Sequence, residues 1–368
     1  MSDSAEFLFQ TLVDALLDQE TPLDPRYLHH LSDLEGEDLI LFQEVWPQVS
    51  LNRRQALLED LNELGDADDL LSFENIGRYM IGDPNAQVRT LAVQLLWEYE
   101  YRDLVSLFLE LLNSDPVAEV RATAASGLGL FVYHGEIDRL PKEILNEIED
   151  SLLKAAVQDQ SELVQCRALE SVGYSSRTEV APLIETAFTS GGHEKMAAAL
   201  IAMGRSMDPR WEKTVLQMLN SKIPALRAEA ARAAGEIEIK ESVQVLVELS
   251  EDSEQIVRSA AIWSLSEIGG DQARHTLEQL FRETEDDQEA DFIESALDNV
   301  AFTDGMQPFS LYDFPEESPE DELLDMLISQ DSHQESNGNG DLNADQGEDA
   351  GHYQADNGFQ SEDEDFQD

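Results

Sequence analysis

Few residues in this chain are spaced for bond-making chemistry. The seven histidines, His29, His30, His134, His193, His275, His333 and His352, are scattered. None stands in a His-Glu-x-x-His arrangement, which would put two ligands on one helix face. His29 and His30 are adjacent, so their side chains diverge on a helix. There is no Gly-x-x-x-x-Gly-Lys phosphate loop and no Gly-x-Ser-x-Gly nucleophile elbow. The acidic run Glu283–Asp287 lacks the ligand order of an EF-hand. Cys166 is the single cysteine, which rules out an intramolecular disulfide and leaves a small buried hydrophobe as its role. No catalytic, cofactor-binding or metal-ligating residue is assigned, and a non-enzymatic role is expected.

Charge narrows the partners. The 368 residues include 78 Asp and Glu against 23 Lys and Arg, a formal net charge of −55. Phosphate backbones are bound by clustered cations, so a nucleic-acid partner is not expected. An anionic membrane surface is disfavoured for the same reason. The first residues, MSDSAEFLFQTLVDALLDQE, carry no Lys or Arg ahead of their apolar positions, unlike a secretory signal. No apolar run approaches the ~20 residues needed to span a bilayer. A cytoplasmic location is expected.

The elements show themselves by recurrence. Residues Ser4–Asp18 have the pattern of an amphipathic helix, with Leu8, Leu12, Ala15 and Leu16 on one stripe. Pro22 and Pro25 break it, and a helical hairpin is expected between Arg26 and Gly65. From this hairpin onward one position recurs at the start of every second helix: Arg54, Arg89, Arg121, Gln165, Met196, Arg227, Arg258 and Glu289. From Gln165 onward the interval is 31 residues each time, the signature of a repeat array. The interval from Arg121 to Gln165 is longer, which places an insertion near 131–146 with turn residues Gly135 and Pro141.

Six residues before these anchors stand Asp83, Asp115, Asp159, Ser190, Ser221, Asp252 and Glu283. Asp and Ser oxygens at such places accept orphan backbone N–H groups. Small residues follow three positions after the anchor, at Ala92, Ala124, Ala199, Ala230 and Ala261. Glycines follow eight after it, at Gly129, Gly173, Gly204 and Gly235. They suit close helix approach or a left-handed helix end. The anchor arginines and the preceding aspartates are expected to form an inter-repeat polar ladder. Trp46, Trp97 and Trp211 are expected to pack.

From residue 303 the composition changes: 20 acidic residues and no Lys or Arg among Asn, Gly, Gln and Ser. Such a segment buries too little apolar surface to offset chain entropy. The expected organisation is therefore a capping helix within 1–23, a repeat solenoid over 24–302, and an acidic disordered tail over 303–368. Within the tail, Leu323, Leu324, Leu327 and Ile328 suggest a short helix over 320–329.

The segments DPVAEVRATAASGLG (Asp115–Gly129), IPALRAEAARAAGEI (Ile223–Ile237) and DSEQIVRSAAIWSLSEIGG (Asp252–Gly270) resemble the short HEAT repeats of the phycobilisome-lyase type. The resemblance covers roughly residues 24–302. It implies an all-α, right-handed α-solenoid of about eight HEAT-like helical hairpins. Two enzymes with such repeats fit poorly. Deoxyhypusine hydroxylase builds a di-iron site from several His-Glu pairs, whereas only His193-Glu194 occurs here. Alkylpurine DNA glycosylases use a basic face, which the charge opposes. Bilin lyases lack a motif that the sequence could be tested against.

In HEAT arrays the second helices line the concave side. On a helical wheel through these helices, offsets 0, +3, +4, +7 and +11 from the anchor form the core face. Offsets +2, +5 and +9 lie opposite. They hold Arg167, Tyr174, Ile201, Arg205, Arg232 and Trp263 in the middle of the array. Arginines and aromatics are favoured at interface centres, so these six are the candidate groove. The expected function is a protein–protein interaction scaffold or adaptor. It would bind a protein or peptide along this face, with an amphipathic or partly acidic segment, or a partner with a basic surface, as candidates. The acidic tail would either solubilise the chain or occupy the groove. Alternatives are a bilin lyase-like enzyme or chaperone, and an acidic nucleic-acid mimic that binds basic proteins.

Overall fold

The structure, a computed structural model, describes residues 9–305. The short helix expected over 320–329 and nearly all of the expected tail lie outside them. The described residues contain helices and no strand. The first helix, α1 (Phe9–Leu17), buries Phe9, Leu12, Val13 and Leu16 and packs on α2 (Gly36–Val45). Ala15 is only half-buried, and Val13 takes the place on the stripe expected for it. A 3-10 turn, Pro25–Leu31, separates the two.

Eight hairpins then follow among the described residues. The first is α2 with α3 (Leu51–Ala67), and the second is α4 (Glu74–Met80) with α5 (Ala86–Gln94). The third joins α6 (Arg102–Ser114) to α7 (Ala118–Glu136), and the fourth joins α8 (Lys142–Gln158) to α9 (Glu162–Val172). Next come α10 (Val180–Ser190) with α11 (His193–Arg205), and α12 (Glu212–Met218) with α13 (Pro224–Glu236). The last two are α14 (Val243–Leu249) with α15 (Gln255–Ile268), and α16 (Asp271–Glu283) with α17 (Asp287–Gly305). Each second helix packs against the next, so α3, α5, α7, α9, α11, α13, α15 and α17 form one continuous row.

The turn chemistry matches the residue types. Asp83, Asp115, Asp159 and Asp252 each accept, through Oδ1, the backbone N–H two residues on, at 2.8–2.9 Å. Ser221 Oγ does the same for Ile223, and Pro224 opens α13 where an N–H would be unpaired. Between Arg121 and Gln165 the extra residues mainly lengthen α7 and α8. Gly135 lies inside α7 against Leu145, and only the connection before Pro141 is irregular.

The recurring small residues set the distance between second helices. Ala92, Ala124, Ala199, Ala230 and Ala261 are all fully buried. A methyl group built on Gly173 would lie 2.8 Å from Ala202 Cα, one on Gly204 3.0 Å from Ala233 Cα, and one on Gly235 2.9 Å from Ser264 Cα. Gly129 faces Ser171 in the same manner. These four glycines therefore serve helix approach alone, and none has the positive φ of a left-handed terminus. That conformation falls three residues after Gly204 and Gly235, at Met207 (φ 49°) and Glu238 (φ 57°), and at Gly269 (φ 67°) at the end of α15. In these three repeats the +11 position, expected in the core, is thus the helix terminator, and Met207 is largely exposed, whereas Val132 and Val300 at the same offset are fully buried.

The polar ladder differs from the expected pairing. Arg54, Arg89, Arg121 and Arg227 reach the aspartate of the following repeat, and for the last three the residue six positions earlier offers only a backbone carbonyl; Arg258 bonds Asp252 O and stands 3.8 Å from Glu289. Arg89 donates to both Asp115 oxygens at 2.8 and 3.0 Å and to Asp83 O at 2.9 Å. Arg121 repeats this with Asp159 and Asp115 O, and Arg227 with Asp252 and Ser221 O. Arg54 reaches Asp83, which also accepts from Trp46 Nε1. These hydrogen bonds hold the Asp159 and Asp252 carboxyls below the usual carboxylate range. Gln165 and Met196 cannot make the bridge, so the ladder is interrupted from α9 to α13. Trp46 and Trp211 are buried, and half-buried Trp97 donates to Thr123 O across the α5–α7 junction.

Removing one carboxylate leaves a nearly buried guanidinium without its counter-charge, a loss of about 3 kcal/mol or more. Asp115→Ala should therefore lower stability by about that amount in urea unfolding followed by circular dichroism. Asp115→Asn, which still caps Val117, should lose less. A change below about 0.5 kcal/mol for Asp115→Ala would show that the ladder is dispensable.

Candidate partner-binding groove

The middle of the second-helix row, α9 to α15, carries the candidate residues. Arg167, on α9, is half-exposed and donates to both Glu170 oxygens, at 2.9 and 2.7 Å. Glu170 is buried. Desolvation pushes its carboxyl above the usual range, opposed by the hydrogen bond from Arg167 and the charge of Arg205. Arg205, near the end of α11, donates to Glu170 O at 2.9 Å and places its guanidinium 4.9 Å above the Tyr174 ring. It thereby ties α11 to the end of α9. Tyr174 stands 5.6 Å from Tyr133 of α7, whose side of the array is 44% exposed at that residue. Arg232, on α13, pairs with Glu229 one turn before it.

Ile201 faces a cavity of about 540 Å³ between α9 and α11. Leu163, Cys166, Arg167, Glu170, Ala197 and Ile201 line it together with Glu162, Glu194 and Glu229. Burial pushes the Cys166 thiol up to about 11, so it is a poor nucleophile at neutral pH. Trp263 is half-buried on α15 and does not line this cavity.

The structure thus brings Arg167, Ile201, Arg205 and Tyr174 into one neighbourhood. It joins Arg232 to them through shared carboxylates: Glu229 acts on Arg167, and Glu236 feels both Arg205 and Arg232. The surface is not basic. Its three arginines are held by Glu170, Glu229 and the Tyr174 ring, because carboxylates stand three positions from Arg167 and Arg232 on the same helix face. Glu162 and Glu194 add further negative charge at the rim.

Several contributors escaped the wheel. Glu162, Leu163, Glu194 and Ala197 belong to the first turns of α9 and α11, so the cavity face begins before the anchor and not two residues after it. Tyr133 lies on the part of α7 that has no counterpart in the 31-residue units. Glu236 stands in the +9 column, but only packing shows its state. Its carboxylate lies over Gly204, where any β-carbon would collide with it, and burial pushes it up to about 7 despite Arg205. Among the described residues no group of three or more His, Cys, Asp or Glu is placed to hold a metal ion. No described helix is long and apolar enough to cross a membrane.

Comparison with known proteins agrees with the repeat pattern. A family model described as HEAT repeats matches residues 212–297, and a HEAT repeat model matches residues 104–135. No curated protein sequence matches. Among solved structures, YibA of Escherichia coli is similar at 16% identity and a TM-score of 0.41, over 77% of this chain and 98% of that one. The CpcE–CpcF complex of phycocyanin lyase from Nostoc sp. PCC7120 has 14% identity and a TM-score of 0.44, over 62% of this chain and 94% of that one. Human deoxyhypusine hydroxylase has 18% identity and a TM-score of 0.32, over 71% and 95%. None of these likenesses carries an argument about activity.

Glu236 gives the groove a pH dependence. Between about pH 4.5 and about 7 the folded protein keeps a proton that the unfolded chain has released, so this group's contribution to stability falls as pH rises through that window. Glu236→Gln removes the ionisation. It should raise stability above pH 7 by about 1–3 kcal/mol relative to the parent and give no gain at pH 4.5. Thermal unfolding at both pH values checks this, and an equal effect at the two would overturn it.

Proposed function

We propose that this chain, a HEAT-repeat protein, acts as a non-enzymatic scaffold or adaptor that holds a protein or peptide partner along its row of second helices. Stacked helical hairpins leave one side of every second helix uncovered by the next layer, which makes a long surface from short units. The observation that carries the reading is the cavity between α9 and α11, with an apolar wall and charged rim beside the Arg205–Tyr174–Tyr133 stack. An arginine held over a tyrosine is pre-organised, so a partner meeting it spends little entropy on ordering the site.

Arg205 also bridges α9 and α11, so a test of binding should leave it in place. Ile201→Ser with Trp263→Ser alters two half-buried positions of the same face. Affinity capture from native extracts, with the bound protein identified by crosslinking, should lose about tenfold of its partner with this double variant. The thermal midpoint should move by only a few degrees. Undiminished capture at unchanged stability would overturn the assignment of this face, and an equal loss from substitutions on the first helices would do the same.

A further inference from the structure

The chemistry of the cavity restricts what enters it, given the scaffold reading above. We propose that the occupant is a cationic peptide segment, one of whose lysine or arginine side chains enters the cavity between α9 and α11. Four carboxylates line that space, those of Glu162, Glu170, Glu194 and Glu229. Arg167 occupies Glu170 and Arg232 occupies Glu229. Glu162 and Glu194 are exposed, and neither makes an ion pair or side-chain hydrogen bond with another described residue. An acidic side chain would therefore meet unpaired negative charge, whereas a cation finds two free acceptors at the rim.

The apolar wall suits the same guest. Leu163, Ala197 and Ile201 face the cavity on one side, and long basic side chains bury their methylenes on such surfaces while the charged head stays among carboxylates. A cavity of about 540 Å³ accepts one such side chain with adjoining backbone. Beyond Glu170 the exposed ring of Tyr133, against Tyr174, offers a flat apolar face to a neighbouring residue of the segment. The net charge of −55 steers cations toward the molecule at a distance. That steering alone names no site; the cavity and its unpaired rim do.

The test separates diffuse attraction from the cavity. The full-length protein is titrated into a fluorescein-labelled twelve-residue peptide of alternating lysine and leucine, and into its glutamate–leucine counterpart. Anisotropy is read at 0.15 M salt, where exposed charges are screened beyond ~8 Å. Glu162→Gln with Glu194→Gln should weaken the lysine peptide about fivefold. Glu212→Gln with Glu248→Gln, an equal charge change on exposed positions of α12 and α14, should weaken it less than twofold. The glutamate peptide should not bind. Equal weakening by the two pairs, or no binding of the lysine peptide, overturns the cationic assignment. If the glutamate peptide binds instead and is released by Ile201→Ser with Trp263→Ser, the groove stands and only the class of occupant falls. If neither peptide responds to any groove substitution, both fall.

Discussion

Close approach of the second helices is the constraint on which the rest of this structure depends. Gly173, Gly204 and Gly235 each lie against the backbone of the next helix, at Ala202, Ala233 and Ser264, with no room for a β-carbon. That contact fixes the spacing from one repeat to the next. Once the spacing is fixed, each repeat's turn falls within reach of the preceding anchor arginine. The bidentate Arg–Asp links then form with little further ordering, since both partners are already held by backbone hydrogen bonds. Apolar burial drives association of the hairpins, and the ladder specifies register.

The ladder's interruption coincides with the most varied part of the surface. Where Gln165 and Met196 replace arginine, α9 and α11 are joined instead by Arg205, through the Glu170 carbonyl and the Tyr174 ring. The cavity opens between the same two helices. A junction without a rigid ion pair can present side chains that a ladder would have consumed. The mid-array thus exchanges a repeated structural device for a local one that also faces outward.

Charge balance decides the character of that surface. In a chain with more than three acidic residues for each basic one, an arginine on a helix face has a carboxylate one turn away more often than not. Arg167 and Arg232 are accordingly neutralised by their own helices. What remains unpaired among the described residues is negative, at Glu162 and Glu194, and the half-buried Glu236 carboxyl is pushed up to about 7.

The sequence by itself determined the helical hairpins, their order and the 31-residue period, because turn aspartates, anchor residues and small residues are local or recur at fixed intervals. It did not settle which columns of the second helices stay out of the core, since Ala198, Ala260 and Glu170 of the +2 and +5 columns are buried. It did not determine which aspartate each arginine holds, since partners 25 to 38 residues apart are equally compatible with the preceding and the following repeat until the stacking distance is known. It did not separate a glycine needed for approach from one needed for a left-handed turn, which Met207 and Glu238 occupy instead. The sign of the groove's free charge was likewise beyond it. Pairing, desolvation and the walls of a cavity are sums over neighbouring helices, and only their packing brings those neighbours together.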